Sequence, residues 1–188
     1  VSARAARLAA SWMMAGFVHG VLNTDNMNIT GESFDYGPWR FLPFYDPSFT
    51  AAYFDHEGLY CYGRQAEAVY WNLDQLARAL FALAPEGAES RWHKSLSGAL
   101  ANFPDVYRRE LVVRFFARVG LVPAGDPEKF EIEETLFSQG IAALAESKVS
   151  FESLFYDFHG GALRRERDAG KYAGPEGAKW RRLLEEGD

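Results

Sequence analysis

Apolar residues return at three- and four-residue steps over most of this chain, and the exceptions are as informative as the rule. In "SARAARLAASWMMAGF", residues 2–17, Ala5, Leu8, Ala9, Trp12, Met13 and Phe17 fall near one face, which predicts an amphipathic helix. The clearest helical pattern is "AEAVYWNLDQLARALFAL" at 66–83, with Val69, Leu73, Leu76, Leu80 and Leu83 as its stripe. "APEG" at 84–87 ends it. Further helices are predicted at 89–101 and at 104–119, the latter with Pro104 in its first turn and Gly120 just past its end. Asp126 is read as the N-cap of a fourth and Ser150 as the cap of a fifth near 151–159. The tail from residue 164 mixes both charge signs and reads as a mobile segment or a docking helix, with Trp180 as its anchor. No internal repeat or low-complexity segment interrupts this.

Two stretches break the helical period. Residues 37–63 are rich in aromatics, Gly and Pro and read as an ordered loop. Residues 19–39, "HGVLNTDNMNITGESFDYGPW", alternate oxygen-bearing and apolar side chains. Asn23, Asp25, Asn26, Asn28 and Asp35 do not suit a core strand, and Val21, Leu22, Met27, Ile29 and Phe34 do not suit a solvated loop. "NMNI" and "ESFD" are expected to pair as short strands about a turn at Thr30-Gly31. The expected fold class is therefore mainly α with a small β-hairpin.

Composition narrows the function. A net charge of −6 and a pI near 5.3 argue against binding nucleic acid through its phosphate backbone. A single cysteine, Cys61, excludes an internal disulfide and a cysteine-rich zinc site. No apolar run reaches the roughly 20 residues of a membrane span, so no membrane partner is expected. The opening 22 residues resemble a signal peptide only superficially, because His19 and the polar run follow at once. The chain begins at Val1 rather than Met and is expected to be a piece of a longer protein.

Asn and Asp oxygens are hard ligands, and magnesium takes only one or two carboxylates beside phosphate oxygens. Asn26 and Asp35 stand nine residues apart and can meet across a hairpin. In an extended segment Asp25 would point away from Asn26, toward a substrate, which makes it a candidate general base. Taken alone, "NTDN" is more often turn chemistry. His19 is read as a buried residue bonded to backbone that orients the loop. Asp46, Asp55 and His56 are read as loop caps and hydrogen-bonding groups rather than a second metal site. His93 and His159 are read as structural or surface residues, and Trp12, Trp39, Trp71 and Trp92 as core. The Arg164, Arg165 and Arg167 cluster reads as a solvated face.

Protein kinases carry H-R-D-x-x-x-x-N followed by D-F-G. Here His19 and Asn26 have the same seven-residue spacing and "DYG" at 35–37 resembles D-F-G, but Val21 occupies the place of the kinase's catalytic Asp. That pattern reads as a pseudokinase. The match is narrower still: "GFVHGVLNTDNMNITGESFDYGPWRFL", then "YDPSF", "DHEG" and "WNLDQLARAL", closely resembles the selenoprotein O family over about residues 4–83, with "HGVLNTDNM" and "DYGP" its most specific parts. Residues 104–160 fit more loosely.

The resemblance implies a kinase-like C-lobe and a protein adenylyltransferase that moves AMP from ATP to Ser, Thr or Tyr hydroxyls of other proteins. The nucleotide would lie inverted relative to kinases. It implies Asp25 as proton acceptor, Asn26 and Asp35 as ligands of magnesium (manganese being the alternative ion), and Asp35 as an ATP contact through that ion. The family's N-lobe supplies Gly-rich backbone and basic contacts to phosphate, and no such motif is present here, so the chain by itself is expected to bind ATP poorly. On this reading residues 1–83 are the catalytic-loop part of the C-lobe, 84–163 a helical region and 164–188 a charged tail. The compartment would be the cytoplasm of a bacterium or the mitochondrion of a eukaryote. A conventional kinase, a non-catalytic scaffold and a metal-dependent hydrolase using Asp25 and Asp35 remain alternatives.

Overall fold

A computed structural model describes residues 1–186 of the chain. It is mostly helical with one two-stranded antiparallel sheet, and it divides into two compact units.

The first unit comprises residues 1–41 and 47–111. Helix α1 (Ser2–Ala15) buries Ala5, Ala6, Ala9, Ala10, Trp12 and Met14. Four alanines on its buried surface let neighbouring backbone approach closely. Helix α2 (Gln65–Phe81) joins it to form a core of Ala5, Ala9, Trp12, Leu22, Val69, Leu73 and Phe103. Helix α3 (Glu89–Ala101) and the start of α4 (Phe103–Arg118) complete the helical part. The stripe read from sequence on α2 is buried at Val69 and Leu73, whereas Leu80 and Leu83 are exposed. Trp39 and Trp71, expected in the core, are also about half exposed. Trp71 lies off the buried face of α2, and Trp39 packs on Phe17 and Phe41 at the surface.

The sheet differs from the expected one. Strand β1 (Phe17–Val18) pairs with β2 (Arg40–Phe41), with Phe17 opposite Phe41 and Val18 opposite Arg40. The two strands flank the polar stretch rather than lying inside it. Within the stretch, pairing is reduced to one bridge between Met27 and Ser33 around a turn in which the Gly31 N–H donates to the Asn28 carbonyl. Gly31 has a φ of 87°, and a Cβ there would come within 2.4 Å of Arg4 Cβ on α1. Only glycine lets the hairpin tip rest on that helix.

The second unit comprises residues 42–46 and those from Val112 onward. Its helices are the end of α4, α5 (Phe130–Ser147), α6 (Phe151–Asp157) and α7 (Pro175–Glu186). Phe115 meets Phe137, Phe155 and Trp180 edge-on, with ring centroids 5.5–5.7 Å apart. Gly140 admits Phe115, whose Cζ lies 2.3 Å from where a Cβ would stand. The tail is ordered: Trp180 is buried, and the buried Asp157 carboxylate accepts hydrogen bonds from Lys171 Nζ and Tyr172 OH. Asp126 does not cap α5, which starts at Phe130. Its carboxylate instead accepts the Glu128 N–H in a preceding turn.

Candidate active site

Residues 19–39 are fixed first at their two ends. On one edge β1 pairs with β2. On the other, Gln65 from the first turn of α2 takes the place of a third strand. Its side-chain oxygen accepts the His19 N–H at 2.9 Å, and its Nε2 donates to the Phe17 carbonyl at 2.9 Å. Two turns further along, Asn72 donates through Nδ2 to the carbonyls of Leu22 and Asn23, at 2.9 and 3.3 Å. Buried amides among the apolar residues of α2 thus hold the loop's backbone, as a buried carbonyl or N–H requires.

His19 is fully buried. Its Nδ1 accepts the Val21 N–H, so its Nε2 carries the proton and donates to Ser33 Oγ at 2.9 Å. Ser33 Oγ donates in turn to the Asn26 carbonyl at 2.8 Å. The Phe34 N–H reaches the same carbonyl at 3.2 Å. Burial pushes the His19 pKa below its ordinary value, an effect the nearby Asp35 charge partly opposes. The ring therefore works as a neutral relay of hydrogen bonds. This matches its expected orienting role.

The relay ties the two predicted ligands together. Asn26 ends a short 3₁₀ turn, Thr24–Asn26, and is buried. Its Oδ1 accepts the Asn23 N–H at 3.2 Å, which fixes the amide and leaves the oxygen's second lone pair. Asp35 directly follows Phe34, the residue bonded to Asn26, and its side chain is exposed. Asp35 also has a φ of 60°, and its carbonyl accepts the Gly37 N–H in a tight turn. A non-glycine residue in this region is uncommon, though Asp tolerates it better than most, and such residues cluster at functional sites.

Asp25 is exposed beside the buried Asn26. The two neighbours differ in exposure, and not through an extended backbone. The segment is helical, not extended, so it is the 3₁₀ turn that sends the two side chains apart. One amide oxygen and one carboxylate are too few for an all-protein cage, and no three His, Cys, Asp or Glu side chains gather as a metal site among the described residues. A pair of hard oxygens with open positions is the donor set that suits magnesium completed by phosphate.

Asp55 acts as a loop cap. Its carboxylate oxygens accept the N–H groups of Leu59 and Tyr60, each at 2.8 Å. The Tyr60 hydroxyl then donates to Asn23 Oδ1 at 2.6 Å. Ser33, Tyr60, Gln65 and Asn72 were not singled out from sequence. For the two amides a signal was present, since 65, 69, 72 and 73 share one helical face. Beside the loop, Phe17, Tyr36, Trp39 and Phe41 form a shallow aromatic recess of about 520 Å³ with Trp12. No helix among the described residues is long and apolar enough to cross a membrane.

A compact helical unit that presents an Asn and two Asp on one pinned loop meets its counterpart in a class of nucleotide-handling enzymes. The family model described as protein adenylyltransferase SelO matches residues 1–172. Relatives described as protein nucleotidyltransferase YdiU include that of Synechocystis sp., 42% identical over 153 residues, which cover 81% of this chain and 31% of the relative. That of Gloeobacter violaceus is 46% identical over 122 residues, covering 65% and 24%. That of Hahella chejuensis is 43% identical over 122 residues, covering 65% and 23%. The chain belongs to the SelO family. It spans about a third of the length of the first of these relatives.

Proposed function

We propose that this chain carries the catalytic loop of a magnesium-dependent protein adenylyltransferase with a kinase-like C-lobe. In this reading AMP passes from ATP to a Ser, Thr or Tyr hydroxyl of another protein. Membership of the SelO family supports the reaction class. The observation that carries the assignment of residues is the pinned loop. The His19–Ser33–Asn26 relay buries and fixes Asn26 while Asp25 and Asp35 stay exposed to either side of it in sequence.

The acceptor's hydroxyl oxygen attacks the α-phosphorus of ATP, the bond to the departing pyrophosphate breaks, and Asp25 takes the hydroxyl proton. A general base of this kind contributes about 10²–10⁴-fold. Asn26 Oδ1 and the Asp35 carboxylate are the groups that would hold magnesium, or manganese in its place. Bound there, the ion would neutralise the charge that builds on the phosphate oxygens. The relay contributes rigidity, because it holds Asn26 and the residues beside Asp35 without reorganisation. The bacterial relatives support a cytoplasmic compartment.

The test is mass spectrometry of the native gene product incubated with ATP, magnesium and an acceptor protein. An added AMP is expected. Asp35→Ala should abolish metal-dependent nucleotide binding, and Asp25→Ala should slow transfer by about 10²–10⁴-fold while sparing binding. An added phosphate would point to a kinase instead. ATP loss with no labelled protein would point to a hydrolase, and failure to bind nucleotide to a scaffold.

A further inference from the structure

Tyr60 lies outside the 19–39 loop yet holds the turn that bears Asp25. Its own backbone is fixed by Asp55, whose two carboxylate oxygens accept the N–H groups of Leu59 and Tyr60. From there its hydroxyl reaches Asn23 Oδ1 at 2.6 Å. Asn23 is the residue from which the Thr24–Asn26 turn starts, and its N–H donates to Asn26 Oδ1. Asn72 holds the Asn23 carbonyl. The turn is therefore gripped at its first residue by two side chains from distant parts of the sequence. Burial, together with the charges of Asp55 and Asp25, pushes the Tyr60 pKa up, so the phenol remains a neutral donor. Its ring also packs against the core of Trp12, Leu22 and Val69. Ring and hydroxyl are thus separable: phenylalanine keeps the first and removes the second.

We propose that Tyr60 is a positioning residue for adenylyl transfer, its hydroxyl acting through Asn23 to set the turn that presents Asp25 to the acceptor. This rests on the reading of Asp25 as proton acceptor. It also gives the "DHEG" segment and the following Tyr60 a role that a metal site would not: Asp55 places Tyr60, and Tyr60 places the turn.

In the native gene product, Tyr60→Phe should lower kcat for AMP transfer by about three- to tenfold, the range set by loss of one hydrogen bond. The KM for ATP and the unfolding midpoint should not move. Amide hydrogen exchange at residues 24–27 should quicken by a similar factor, with or without nucleotide. Asn23→Ala should reproduce the kcat loss, and the double variant should be no slower than the slower single one, because both remove the same bond. Unchanged kcat and unchanged exchange in Tyr60→Phe would overturn the inference. So would a kcat loss that tracks a lower unfolding midpoint, or additive losses in the double variant. Transfer at the wild-type rate by Asp25→Ala would overturn both this inference and the base assignment. An inactive Asp25→Ala beside an unaltered Tyr60→Phe would overturn this inference alone.

Discussion

Between Phe17 and Phe41 the backbone is held by polar side chains, Gln65 and Asn72 from α2 and His19 and Ser33 from within, while Tyr60 from a later loop holds the Asn23 side chain. From Val112 onward rings fill the core, with Phe115, Phe155, Phe158, Tyr172 and Trp180 all buried, and Glu146 ties in the backbone at the start of α7. The two regions differ in what they leave free. Aromatic packing consumes the side chains that do it. Hydrogen bonds to backbone fix a loop from behind, so Asp25 and Asp35 can stay exposed at its surface. A site that must present carboxylates to a ligand needs the second kind of support. The aromatic core suits a region whose role is to be stable.

The largest test of this contrast is Trp180→Ala. It should destabilise the second unit by about 3–5 kcal/mol, the usual range for deleting a large buried ring. The indole Nε1 has no hydrogen-bond partner among the described residues, so the cost should sit at the low end of that range. Amide hydrogen exchange at residues 130–147 across a urea series measures it, since the remaining tryptophans all lie in the first unit. Metal-dependent nucleotide binding by the native gene product, measured well below the unfolding midpoint, should be unaltered. A loss of binding at full folding would mean that the two regions do not divide stability and chemistry as argued.

Next in size is Ser33→Ala. It removes almost no packing but leaves the His19 Nε2–H without its acceptor and takes one donor from the Asn26 carbonyl. A buried donor left unsatisfied costs about 1–3 kcal/mol. Here the effect should be local. Hydrogen exchange at residues 26–35 should quicken far more than the global midpoint falls, and nucleotide binding should weaken with it. A uniform loss of stability with no local change would show that the loop is held by packing after all.

These two variants also mark what the sequence could and could not convey. The helices were readable because their apolar spacing is a local property, and so was the identity of Asn26, Asp35 and Asp25 as neighbours in one loop. The sheet was misplaced because pairing of Phe17–Val18 with Arg40–Phe41 spans the whole loop, and two-residue strands leave no alternating pattern. The hairpin at 26–35 survives as a single bridge, closed by the Phe34 N–H on the Asn26 carbonyl and the Asn28 N–H on the Glu32 carbonyl, because the 3₁₀ turn at Thr24–Asn26 and the left-handed Asp35 end it on either side. Tyr60 was out of reach for another reason. Its partner lies 37 residues earlier in sequence, and nothing in the spacing announces the bond. Leu80 and Leu83 were placed in a stripe by period alone, which says where a face lies and not how far its cover extends.

The subtlest effect expected is a slope rather than a loss, and it concerns His19. Burial lowers its pKa in the folded protein below the usual value near 6.5. Above about pH 6.5 the ring is neutral in both folded and unfolded chains, and its contribution is complete. As pH falls from there, the unfolded chain takes up a proton that the folded one refuses. Stability is then lost progressively as the pH passes down through the depressed folded value, below which both states are protonated and the loss levels off. The proton would also free the Val21 N–H, since Nδ1 could no longer accept it. In the aromatic region the central contacts are between rings that carry no titrating nitrogen, so the slope should belong to the loop. Unfolding midpoints measured between about pH 5 and pH 7.5 should therefore fall more steeply for the wild type than for His19→Gln, whose side chain does not titrate. Exchange at residues 19–35 should carry the difference. Parallel curves for the two proteins would mean that His19 is not held neutral by the fold, and the loop would lack the internal acceptor that holds the Val21 N–H.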